Sequence, residues 1–191
     1  MLKVAITGNI ASGKSTVEKA LQTSGYVVLD TDKVCHNLLF SQEVKDAFKD
    51  LDIFENGEIS RAKFGKLVFS NPELKLTLEN ILYPMVRIKI AEFFEQYSSE
   101  TVVFVAIPLL FEAGMQDLFD KIIFVYCDDN IRLERLVARN NYSQDYAKTR
   151  MSAQESQDLK VKKSDYVIYN NDSIVELDKQ VDSVIAELLN L

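Results

Sequence analysis

Val4-Ala5-Ile6-Thr7-Gly8-Asn9-Ile10-Ala11-Ser12-Gly13-Lys14-Ser15-Thr16 is the stretch on which the fold turns. A short apolar run, rich in β-branched residues, empties into two glycines separated by four residues, the second followed by Lys and Ser. This spacing is the phosphate-binding loop pattern, and its required context is a strand before and an amphipathic helix after. Gly8 and Gly13 let the backbone turn so that successive N–H groups point at an anion with no Cβ in the way. The positive end of the following helix strengthens that nest. Lys14 can reach the β and γ phosphates of a nucleotide, and the Ser15 hydroxyl can ligate a phosphate-bound Mg²⁺. The segment Gly8, Asn9, Ile10, Ala11, Ser12, Gly13, Lys14, Ser15 and Thr16 is therefore the candidate ATP-binding segment.

Outward from this loop, composition sets the limits. The chain has 191 residues, 47% hydrophobic and 27% charged, an ordinary globular mixture with room for one catalytic domain and an inserted lobe. A formal net charge of −7 argues against a protein that coats nucleic acid. Cys35 and Cys127 stand far apart with no Cys-x-x-Cys or His partner, so neither a disulfide framework nor a zinc site is expected. The apolar run Val102–Phe111 is broken by Pro108, too short for a membrane span, and the N-terminal run is too short for a signal segment. A cytoplasmic protein without membrane partners is expected, and the oligomeric state is left open.

Residues 2–7 read as a buried, central strand, with a helix through Val17, Ala20 and Leu21 that stops at Gly25. A second strand, Tyr26–Leu29, ends in Asp30-Thr31-Asp32. If it runs parallel to the first, its C-terminal edge brings Asp30 and Asp32 to the rim where open α/β sheets bind ligands. Period-two alternation would set both on one face. A capping role for either acid is the plainer alternative. Residues 33–98 show helical patterns and no clear strand. Asn56-Gly57 reads as a turn, Ser60 as a cap, Asn71-Pro72 as a cap with proline at the first helical position, and Tyr83-Pro84 as a break between helices. Strands then follow at Thr101–Ile107, Lys121–Tyr126 and Asp165–Tyr169, with a closing helix carrying Val175, Val181, Val184, Ile185 and Leu188. The expected fold is α/β: a five-stranded parallel sheet with helices on both faces, of P-loop kinase type.

Arg132, Arg135 and Arg139 recur at helical spacing and share one face. Such a row can neutralise charge on a transferring phosphoryl group, or it can be a solvated face balanced by Asp128 and Glu134. Arg132 fits the solvated reading better; Arg139, beside the polar run Asn140-Asn141-Tyr142-Ser143, fits either.

Taken together, several stretches resemble the dephospho-coenzyme A kinase family. They are the loop Ile6–Thr16, Asp30-Thr31-Asp32, Leu82-Tyr83-Pro84, Pro108-Leu109-Leu110-Phe111-Glu112, Arg135 through Arg139, Gln154, and Asp165-Tyr166-Val167-Ile168 with Asn170. The loop is shared by many nucleotide enzymes; the Asp-x-Asp combined with Pro-Leu-Leu-x-Glu is far more specific. The resemblance implies transfer of the ATP γ-phosphoryl group to the ribose 3′-hydroxyl of dephospho-coenzyme A, with Mg²⁺. It implies a core over about 1–32, 99–138 and 155–191, a helical acceptor-binding lobe over about 33–98, and a lid over about 139–154. Substrate contacts are expected at Asp32, His36, Tyr83, Pro108, Leu109 and Glu112. His36 stands where the family often has Arg, and a helix-surface role is the simpler reading. Asn9 and Ala11 stand where glycine is frequent, and Tyr83 where His is. Ala11 thus implies either an ordinary backbone or local strain of about 1–2 kcal/mol.

A poor nucleophile such as an alcohol needs a carboxylate to orient it and take its proton. Asp32 is assigned that role on a strand edge neighbouring the loop; Asp30 and Ser15 are assigned the metal. Exchange of the two acids in these roles stays open. Lys14 and Arg139 would complete the catalytic set by stabilising the equatorial oxygens. A nucleoside monophosphate or other small-molecule kinase would use the same parts on another acceptor. A nucleotide-dependent switch fits less well, because the chain has no Asn-Lys-x-Asp or Asp-x-x-Gly segment.

Overall fold

The computed structural model describes residues 1–190. The chain divides into two compact units, Met1–Asp30 with Phe94–Leu191, and Thr31–Phe93. Leu191, counted with the core from the sequence, lies outside the described residues.

The first unit begins with β1 (Leu2–Thr7), α1 (Lys14–Thr23) and β2 (Val28–Asp30). Val4, Ala5 and Ile6 are fully buried, and burying each of the larger side chains contributes about 1.5–3 kcal/mol. α1 ends in a paired C-terminal closure: Tyr26 N–H donates to Leu21 O at 3.0 Å and Gly25 N–H to Gln22 O at 3.1 Å, with Gly25 at φ +88°. This is the Schellman geometry, which explains why the helix stops where the glycine stands.

The second unit holds α2 (Thr31–Leu38), α3 (Gln42–Ala47), β3 (Phe54–Glu55), β4 (Glu58–Ile59), α4 (Arg61–Ser70) and the start of α5 (Pro72–Gln96). Its core gathers Val44, Phe48, Ile53, Ile59, Phe64 and Leu82, with Phe48 and Phe64 edge-on at 4.9 Å. The expected absence of strands here is corrected by the antiparallel pair β3 and β4. Asn56 and Gly57 turn between them at φ +51° and +82°, the two positive values of a tight hairpin. Two-residue strands are too short to show a period. The expected break at Tyr83-Pro84 is also corrected, because Pro84 lies inside α5. Proline removes one ladder bond, and the remaining bonds carry the helix through. Ser60 occupies the N-cap position of α4 without a side-chain cap bond, whereas Asn71 Oδ1 accepts from the N–H groups of Glu73 and Leu74 at the start of α5.

The first unit resumes with β5 (Val102–Ala106), β6 (Lys121–Tyr126), α6 (Asp129–Asn140), α7 (Gln144–Ser152), α8 (Gln157–Val161), β7 (Tyr166–Tyr169) and α9 (Ile174–Leu189). Its five strands lie in the order β2-β5-β1-β6-β7, and every pairing is parallel. β1 is central, as its continuous apolar run predicts. On one face Val4, Ile6, Phe104, Ile123 and Val125 pack with Val17 and Leu21 of α1 and Leu177, Val181 and Leu188 of α9. The intervening Ala5, Val103, Val105 and Phe124 are fully buried as well, so both faces are covered. Val175, near the start of that closing helix, is 58% exposed. β5 lies between β1 and β2, so the strand ending at Asp30 is not adjacent to the loop strand, contrary to expectation; the two are about 10 Å apart by strand spacing. Asp30 is nevertheless level with Ala106, which is level with Ile6, so all three strands reach the same rim.

Candidate active site

The phosphate loop follows directly from β1. Gly8 is buried with no room for a side chain: an added Cβ would lie 2.5 Å from Ser12 Oγ and 2.8 Å from Val125 O. Within the loop, Ser12 N–H donates to Asn9 O at 3.0 Å. Ala11 has φ +62°, so of the two readings of this position the strained one holds. Gly13 is the N-cap of α1 at φ +94°, and no side chain caps the helix. Thr16 N–H turns back to Gly13 O at 2.8 Å, while the N–H groups of Lys14 and Ser15 before it have no acceptor a turn back, the arrangement by which a helix start meets an anion. Lys14 Nζ rests on Glu18 Oε1 at 2.6 Å, one helical turn on, and Ser15 is exposed.

Residues far along the chain brace this loop. Asn170 follows β7, and its Nδ2 donates to Ser12 O at 2.8 Å. Gln154 Oε1 accepts from Ile10 N–H at 2.7 Å, and Asn9 Nδ2 donates to Glu155 O at 3.0 Å. Lys160 on α8 is fully buried, and its ammonium bridges Asn9 Oδ1 at 2.9 Å and Glu112 Oε1 at 2.6 Å. Glu112 is thereby tied to the loop, while the neighbouring Pro108 offers its carbonyl to Thr7 Oγ1 at 3.5 Å and Leu109 is half-buried.

The arginine face of α6 divides by depth. Arg132 is 2% exposed: Nε donates to Ile10 O at 2.9 Å and Nη1 to Asp129 Oδ1 at 2.7 Å. The solvated reading of Arg132 is therefore corrected, since its side chain turns inward to the loop. Burial pulls its pKa down, and the Asp129 carboxylate opposes the shift. Arg135 donates to Cys127 Sγ at 3.3 Å and to Asn170 O at 3.1 Å. Burial pushes the Cys127 thiol up, against the pull of Arg135 and Arg132, which suits a hydrogen-bonded neutral thiol and not a nucleophile. Arg139 lies in the last turn of α6, exposed, with Nε on Asn140 Oδ1 at 2.9 Å. The polar run beyond it is a paired stop and start: Asn141 sits at φ +53°, and Ser143 Oγ accepts from Tyr146 N–H to open α7.

Asp30 ends β2, while Asp32 lies in the first turn of α2, so the period-two argument does not extend across the pair. Asp32 is exposed, His36 is half-buried and edge-on to Phe40 at 6.0 Å, and Tyr83 is half-buried on α5. Sequence reasoning missed Lys160 and misjudged Arg132. Lys160 sits among Lys162 and Lys163, and only α8's packing distinguishes it; the Arg row itself was the available signal for Arg132.

A model of the dephospho-CoA kinase family matches residues 2–176. The chain belongs to the dephospho-CoA kinase family. The dephospho-CoA kinase of Carboxydothermus hydrogenoformans is 39% identical over 189 residues, covering 95% of this chain and 92% of that protein. That of Staphylococcus saprophyticus is 38% identical over 190 residues, covering 96% and 92%. The solved structure of dephospho-CoA kinase from Campylobacter jejuni is 31% identical, covers 98% of this chain and 97% of its own, and superposes with a TM-score of 0.76. Among the described residues no helix is long and apolar enough to cross a membrane.

Proposed function

We propose that the loop Gly8–Thr16 holds the ATP triphosphate while Asp32 orients the acceptor hydroxyl and takes its proton. The reaction is that of the family: the γ-phosphoryl group of ATP passes to the ribose 3′-hydroxyl of dephospho-CoA, giving coenzyme A and ADP. The observation that carries the reading is the uncapped N-terminus of α1 behind a loop whose Gly13 has no room for a Cβ. Lys14 exchanges Glu18 for phosphate oxygens when nucleotide binds, and Arg139 approaches the transferring group as the segment 139–154 closes and excludes water. By resemblance to the family, the acceptor contacts are assigned to Asp32, His36, Tyr83, Pro108, Leu109 and Glu112.

Mg²⁺ fits the oxygen donors available here. Ser15 carries an exposed hydroxyl and Asp30 a carboxylate, the hard ligands this ion takes in small number alongside substrate phosphates. Among the described residues no group of three His, Cys, Asp or Glu stands together as a metal cage. Bound there, the ion would neutralise charge on the β and γ oxygens.

Asp32→Asn tests the assignment. The variant is expected to bind ATP and dephospho-CoA near wild-type affinity while single-turnover transfer, followed by product mass, falls about 10²–10⁴-fold. Full turnover in this variant would move the base role to Asp30 or elsewhere.

A further inference from the structure

Ile10 is held at both of its peptide groups by side chains from distant elements. Gln154, just past α7, accepts from its N–H at 2.7 Å, and Arg132 of α6 donates Nε to its carbonyl at 2.9 Å. Arg132 is itself fixed by Asp129 Oδ1 at 2.7 Å, and that carboxylate oxygen also accepts from Gln157 Nε2 at 3.0 Å. Gln157 is buried and further bonds both the N–H and the carbonyl of Cys127, so the clamp is anchored at the end of β6.

The next residue, Ala11, is the non-glycine position of the loop that sits at positive φ, +62°. An L-residue resists that conformation, and a free loop would relax by rotating the Ile10–Ala11 peptide plane. In a trans peptide the C=O and the following N–H point in opposite directions. With the Ile10 carbonyl drawn to Arg132, the Ala11 N–H faces away from α6; with the Ile10 N–H drawn to Gln154, the preceding plane is fixed too. Rotation would turn a carbonyl to where the N–H now points and set it against an anion.

We propose that Arg132 and Gln154 are positioning residues that hold the Ile10–Ala11 turn in its left-handed, anion-binding form, acting through the loop and not by touching substrate. The inference rests on the reading that this loop binds the ATP phosphates.

The test measures ATP Kd by calorimetry, and KM for ATP and kcat by turnover, for Arg132→Met and Gln154→Leu, each with and without Ala11→Gly. Glycine takes the left-handed form without penalty. Each single variant is expected to weaken ATP binding about 5- to 30-fold, with a smaller change in kcat at saturating ATP, and Ala11→Gly is expected to restore most of that loss. Gln154→Glu, which keeps an acceptor for the Ile10 N–H, is expected to stay within about threefold of wild type. Defects that persist unchanged in the glycine background would overturn the proposal. Urea unfolding is run on every variant; should Arg132→Met lose its fold, the half-buried Gln154 pair decides the matter. Lys14→Ala separates the two levels: if ATP binding ignores it, the loop reading fails; if it abolishes binding while Ala11→Gly rescues nothing, only the clamp fails.

Discussion

Asn170 occupies the space that a side chain on Gly13 would need. A Cβ there would lie 1.8 Å from Asn170 Nδ2, the atom that holds the Ser12 carbonyl at 2.8 Å. Last strand and first helix are thus fitted to each other across the loop. Gly13→Ala is expected to abolish measurable ATP binding, with a fall in stability of at least about 1–2 kcal/mol from its φ of +94° alone. Adding Asn170→Ala removes the collision and leaves the backbone strain, so the double variant should recover part of the stability in urea unfolding. Full recovery would show that the collision was the whole effect.

Lys160→Met leaves Glu112 and Asn9 without their shared cation. Breaking a buried pair costs about 3–5 kcal/mol. The Glu112 side chain keeps 28% of its exposure, so water recovers some of this, and a loss of about 2–3 kcal/mol of stability is expected in urea unfolding. Replacing Glu112 as well, with Gln, should cost less than Lys160→Met alone.

Cys127 gives the protein a pH dependence. Its pKa is raised in the fold, mainly by burial, so above the unfolded value of about 8.5 the unfolded chain gives up the proton first. The folded state then binds more protons, and stability falls as pH rises from there through the folded pKa. Below pH 8 the thiol's contribution is fully present. Cys127→Ala is expected to flatten the decline in thermal melts between pH 8 and 10. An unchanged slope would assign the decline to other groups.

Asp30→Ala is expected to raise the Mg²⁺ concentration needed for half-maximal turnover about tenfold or more, with little change in dephospho-CoA affinity. A variant whose Mg²⁺ curve overlays that of wild type would remove Asp30 from the metal role.

The chain order of strands and helices was legible because the buried strands are continuous apolar runs and because Gly25 and Asn71-Pro72 mark helix ends by known chemistry. The hairpin at Phe54–Ile59 and the continuity of α5 through Pro84 were not, since a two-residue strand has no period and local proline rules yield to the surrounding helix. At the site, the loop announces itself by spacing. Its braces do not: Arg132, Gln154, Lys160 and Asn170 meet the loop across 122 to 158 residues of sequence, and no local pattern encodes such pairings. Ala11 marks the limit of local reasoning, since a rule about alanine gives the size of the strain and only the distant clamp explains why it persists.

The distance along the chain between loop and braces also bears on synthesis. The phosphate loop lies between positions 8 and 16, yet groups that brace it lie between positions 132 and 170. A growing chain therefore carries the motif long before the groups that shape the loop have been added. On the proposed reading that this loop binds ATP, the ligand favours the form in which α6 and the residue after β7 stay docked against the loop.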